Sequence, residues 1–240
     1  MKKTELLGED IEYTVRRSSK ATIPRVDVSM DGVRAVIPEG SDKDPEGLLQ
    51  EKAIQVIKSK KKFDRYREEI PKRKFQEGEF FPYLGEEHNV AVSSEHSDRK
   101  VEGEKLILPA DEVKDTSIKR ELEKLYREKA REIIEEILER YEDLRIEYKR
   151  IKLKNQKTRW ASCSSRQNLN FNWRIAMAPK DIIEYVVVHE LVHLEESNHS
   201  KRFWTKVSSI LPDYKERAKW LKDHSPKLVF SEEDYTSSSW

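Results

Sequence analysis

Apolar and polar positions alternate over short stretches in the first part of the chain. Residues 11–17, 25–30 and 33–37 are rich in β-branched and aliphatic side chains, and Asp31-Gly32 between the last two is a hairpin turn signal. The period then changes. Over residues 45–62, Leu48, Leu49, Ala53, Ile54 and Ile57 fall at helical spacing. Beyond Pro71 the short period returns over residues 80–84, 88–93 and 105–108, with Gly78, Gly85 and Gly103 as punctuation.

Residues 112–144 predict one long amphipathic helix, with Leu122, Tyr126, Ala130, Ile133, Ile137, Tyr141 and Leu144 on one stripe. Glu123 with Arg127, and Glu136 with Arg140, stand four apart on its solvated side. A strand over residues 147–153, a turn at Ser165-Arg166-Gln167 and an alternating strand over 168–173 follow. Pro179 opens a second helix, with Asp181 in its first turn, that runs to about residue 195. Residues 199–210 and 213–221 predict further helices, and no internal repeat is present. The expected architecture is α+β. A strand-rich region over residues 1–111, with one helix, packs on a C-terminal domain over residues 112–230, and an acidic, Ser-rich flexible tail covers residues 231–240.

Composition narrows the class. Charged residues are 39% of the 240 and hydrophobic ones 36%, which predicts a modest core under a heavily charged surface. The 47 basic residues nearly balance the 46 acidic ones, so global charge argues for neither nucleic acid nor membrane as a partner. No apolar run approaches the length of about 20 residues that a membrane span needs. The start, Met1-Lys2-Lys3-Thr4-Glu5, leads into no apolar leader, and Cys163 is the single cysteine. A cytoplasmic location is expected.

The chemistry concentrates in Val186-Val187-Val188-His189-Glu190-Leu191-Val192-His193-Leu194. This is H-E-x-x-H on a predicted helix. Four residues is just over one turn, so both imidazoles leave the same face and can reach one ion. Glu190, one position on, is placed to hold the attacking water and accept its proton. A third protein ligand is needed. His199 is the first candidate, reached if Asn198 adopts a left-handed conformation and ends the helix. Glu195 and Glu196 compete, and His224 is a more distant possibility. Trp160, Phe171, Trp173, Phe203 and Trp204 bracket the motif and read mainly as core. Cys163 reads as a buried thiol, the alternatives being a reactive thiol or an extra ligand. Arg159, Arg166, Arg174, Lys201 and Arg202 form a locally basic neighbourhood suited to an anionic ligand or to transition-state charge.

Residues 151–212 resemble the YgjP-like metallopeptidase family, in the zincin group near the SprT-like proteins. The resemblance is carried by Thr158-Arg159-Trp160-Ala161-Ser162-Cys163-Ser164, Asn172-Trp173-Arg174, the helix motif from Val187 to Leu194, Asn198-His199-Ser200-Lys201-Arg202-Phe203-Trp204 and Pro212-Asp213. A weaker likeness extends to Gly78-Glu79-Phe80-Phe81-Pro82-Tyr83-Leu84-Gly85, and Ala161 stands where the family usually has Gly. The resemblance implies a zincin fold, a Zn2+ site of His189, His193 and His199, and Glu190 as the catalytic residue. The spacing of the three histidines equals that of metzincins, but Glu196 stands where those carry Gly. Met1, Met30 and Met177 all precede the motif, so no Met-turn follows it.

The leading expectation is therefore a zinc-dependent metallopeptidase acting on a protein or peptide. Substrate would be held extended along a strand from residues 158–172. A zinc hydrolase of phosphate esters or anhydrides such as nucleotides is the alternative, favoured by the basic neighbourhood. A binding or regulatory module with a structural metal is the third reading, which an intact Glu190 and only three evident ligands weigh against.

Overall fold

The structure is a computed structural model that describes residues 1–29, 31–156 and 159–231. Met30, Lys157, Thr158 and the tail from residue 232 lie outside the described residues. The chain divides into two compact units, Met1–Ile70 and Pro71–Trp240.

The first unit is a mixed sheet with two helices. Strands β1 (Lys2–Leu6), β2 (Glu9–Ser18), β3 (Arg25–Ser29) and β4 (Gly32–Pro38) take the order β1-β2-β4-β3. The Asp31-Gly32 signal is met by antiparallel pairing of β3 with β4, Ser29 opposite Gly32. The single helix expected over residues 45–62 is two, α1 (Pro45–Glu51) and α2 (Ala53–Glu69). Lys52 separates them because its φ of −111° and ψ of 16° leave the helical region. Leu49, Ala53 and Val56 close over Leu6, Ile11, Tyr13, Val33 and Ala35, a small core of its own.

The second unit carries the site. Strands β5 (Phe80–Tyr83), β6 (Glu86–Ser93), β7 (Lys100–Glu102) and β8 (Lys105–Pro109) form a sheet in the order β5-β6-β8-β7. Helix α3 (Ala110–Asp115) and the 23-residue α4 (Ile118–Arg140) replace the one helix expected over 112–144. The break is local chemistry: the Thr116 hydroxyl shares its one proton between the Glu112 carbonyl at 2.8 Å and the Glu121 carboxylate at 2.9 Å, and Ser117 caps α4 by accepting from the Arg120 N–H. The predicted stripe of α4 is buried, and it shares one core with Phe81, Val90, Leu106 and Leu108 of the sheet. The Tyr126 hydroxyl donates to the Pro82 carbonyl at 2.7 Å within that core. This shared core lies within the second unit, Pro71–Trp240.

A three-stranded sheet, order β10-β11-β9, follows: β9 (Arg150–Lys154), β10 (Ala161–Cys163) and β11 (Asn168–Asn172). Strand β10 pairs with β11 alone and is an edge. Helices α5 (Lys180–Val192), α6 (Lys201–Ile210) and α7 (Tyr214–His224) complete the unit. Ten of the thirteen residues of α5 are buried, so this helix, apolar nearly all round, is the centre of the unit rather than a surface element. The α+β class expected from the pattern holds. Among the described residues no helix is long and apolar enough to cross a membrane.

Candidate metal centre

The motif helix delivers its histidines as the spacing requires. His189 and His193 project from one face of α5, and their Nε2 atoms lie 3.2 Å apart. Helix α5 stops at His193, and the chain winds through single turns, with the Glu195 and Glu196 N–H groups both donating to the Val192 carbonyl. The reversal does not use a left-handed Asn198, which is absent from the residues with positive φ. Instead the Ser200 N–H donates to the Asn198 carbonyl at 2.8 Å, and Ser200 caps α6. His199 is thereby carried back to the pair, its Nε2 at 3.0 Å from that of His189 and 3.1 Å from that of His193. His189 is buried, His193 half-buried and His199 exposed, so the triad opens to solvent on one side.

These separations suit a single cation. Bonds of about 2.0–2.1 Å to one tetrahedral ion place ligand atoms about 3.3 Å apart. The protonation pattern agrees. Nδ1 of His193 lies 3.0 Å from the Glu196 carbonyl, which can only accept, so the proton is on Nδ1 and Nε2 presents its lone pair to the other two rings. Burial, reinforced by the neighbouring His193 and His199, pushes the His189 pKa down to about 3 and keeps that ring neutral. Phe203 supports all three imidazoles, with ring centroids at 4.8, 4.4 and 4.9 Å from His189, His193 and His199.

Glu190 is 2% exposed and faces the same cleft, which has a volume of about 470 Å³. Its pKa is pushed up to about 8 by burial, against the opposing pull of the Cys163 backbone N–H and the Arg159 charge. Its Oε2 has no hydrogen-bond partner among the described residues. Strand β10 and its continuation supply another wall, through Ser162, Cys163 and Ser164.

The other residues singled out in the sequence separate clearly. Glu195 pairs with Lys206, Glu196 offers its carbonyl to His193, and His224 stacks on Trp220 with its Nδ1 on the Trp220 carbonyl. Cys163 borders the cleft, but its Sγ contacts the Ser164 carbonyl at 3.6 Å, and burial raises its pKa. Of the basic neighbourhood, Arg159 alone lines the cleft. Arg174 is fully buried, its Nη2 donating to the Gln156 carbonyl at 2.9 Å, while Arg166, Lys201 and Arg202 are exposed elsewhere. Trp160, Phe171, Trp173 and Phe203 are core, and Trp204 is half-buried and stacked on His199. Tyr185 carries no signal in the sequence, although it stands one turn before His189, with ring centroids 5.8 Å apart.

The family model of the YgjP-like metallopeptidase domain matches residues 23–224. The chain belongs to this metallopeptidase family. Its match covers both the triad and the strands that frame it. One similar solved structure is the metallopeptidase zymogen abylysin of Pyrococcus abyssi, at 24% identity and a TM-score of 0.35, over 41% of this chain and 96% of that one. No curated protein matches.

Proposed function

We propose that the chain is a zinc-dependent peptidase in which His189, His193 and His199 hold the metal and Glu190 is the general base. The convergence of three imidazole nitrogens within 3.2 Å, beside a buried carboxylate oxygen that lacks a partner among the described residues, carries this reading. Zinc held there supplies a Lewis acid that polarises the scissile carbonyl and lowers the pKa of water toward about 7. A cation held by the triad would draw the Glu190 pKa back down from about 8 and favour its carboxylate form, which accepts the proton of the attacking water at Oε2 and passes it to the leaving amine nitrogen. Arg159 adds positive charge to the wall of the cleft. The free edge of β10 pairs with an extended substrate segment, in keeping with a substrate-holding strand over residues 158–172; Thr158 lies outside the described residues.

The phosphate-ester alternative is less well served. Transfer of a phosphoryl group needs several cations around its oxygens, and Arg159 is the one basic side chain other than histidine lining the cleft among the described residues. A purely structural metal would need a fourth protein ligand, and among the described residues the candidate cluster has three. The test is to incubate the zinc-loaded chain with a reduced, alkylated protein and with a nucleotide panel. New peptide termini that vanish with chelator are expected. Phosphate release without peptide cleavage would transfer the assignment to the alternative.

A further inference from the structure

A second cleft, of about 520 Å³, shares His189 and His199 with the first and none of its other walls. Its body is apolar, formed by Tyr185, Trp204 and Ala218. Trp204 is clamped between two rings: it stacks on His199 at 5.5 Å and 20° and on Tyr214 at 5.3 Å and 18°. Trp204, held in that stack, forms one wall of the cleft beside the triad. The remaining lining is Lys219 and Lys222, three apart on α7 and both exposed, and among the described residues no carboxylate lines this cleft. Lys219 makes no ion pair among the described residues.

We propose that this cleft is a specificity slot for a peptide group that joins an apolar stem to a terminal carboxylate, with Lys219 receiving the charge beside Lys222. The inference rests on the peptidase reading in one respect: His189 and His199 border both clefts, which places the slot next to the bond to be cut. An apolar wall ending in two ammonium groups selects against basic residues as much as it favours acidic ones. The carboxylate can come from a glutamate side chain or from the end of a peptide chain, which share the same chemistry at the lysines.

Binding decides it without turnover. The full chain carrying Glu190→Gln is titrated with three peptides, read by tryptophan fluorescence and isothermal titration. One is Ac-Ala-Ala-Glu-Ala-Ala-amide, one is its Gln counterpart, and one is the Gln counterpart with a free C-terminal carboxylate. At low salt a carboxylate peptide should bind about five- to tenfold more tightly than the uncharged one, and the gap should shrink as salt rises. Which carboxylate peptide wins identifies the source. Lys219→Gln/Lys222→Gln should close the gap, and Lys219→Glu/Lys222→Glu should reverse it. Equal binding of all three, no binding of any, or a gap unchanged in both double variants overturns the slot. If the zinc-loaded wild type cleaves nothing while the discrimination holds, the peptidase reading falls and the slot stands. Cleavage with equal binding removes the slot and leaves the peptidase reading in place.

Discussion

Gly85 lies directly against Pro179: a Cβ at Gly85 would sit 2.7 Å from the proline Cγ and 3.3 Å from its Cα. Gly85 also has a φ of +86°, and its N–H donates to the Met177 carbonyl. The turn between β5 and β6 is thus seated on the residue that caps α5, the helix bearing the triad. Gly85→Ala should cost about 1–3 kcal/mol, from left-handed strain and the clash together. Urea denaturation of the two proteins measures it, and an unchanged midpoint would contradict the packing described.

Metal content should follow the triad. The purified protein should bind about one zinc per chain. His189→Ala and His193→Ala should each abolish tight binding, and His199→Ala should weaken it strongly. Atomic absorption after dialysis checks this, and full occupancy in the His189→Ala/His193→Ala double variant would end the assignment.

Replacing Glu190 separates base from ligand. Glu190→Gln keeps the size of the side chain but cannot take a proton. Zinc content should stay near wild type, while peptide hydrolysis falls by about 100-fold or more. Wild-type turnover in that variant would remove Glu190 from the proposed mechanism.

Glu121 gives a pH dependence remote from the site. It is fully buried, which opposes ionisation most strongly, yet bonds from Lys124, Thr116 and Arg99 together outweigh burial and hold its pKa below the usual 4.5. The unfolded chain therefore binds this proton more readily than the folded one. The stabilisation is whole above about 4.5 and is lost as pH falls through the lower folded value. Glu121→Gln should cost about 2 kcal/mol at pH 7. The gap between variant and wild type should narrow on acidification below pH 4, as followed by thermal melts.

What the sequence made legible was local. The triad candidates were readable because His189 and His193 are one helical turn apart, and the buried stripe of α4 because its period runs for many residues. What escaped depended on single side chains or on distant packing. A hydroxyl at Thr116 splits α3 from α4, and three-residue β7 is too short to show a period. Five cations looked alike in sequence, but only the fold turns Arg159 to the cleft and buries Arg174. Lys219 and Lys222 line one cleft with Tyr185 because α7 packs on α5, which no spacing along the chain records.

Two of the proposed ligands sit on α5 and the third on the turn before α6, with Glu195 to Asn198 looping between them. An ion shared by all three would act as a removable cross-link across that loop. Stripping it would return conformational entropy to the loop while leaving the apolar body of α5 in place. Chelation should therefore first raise amide exchange and protease cutting around residues 195–200, well before the unit melts. The same segment would then report, by its own order, whether the chain is loaded.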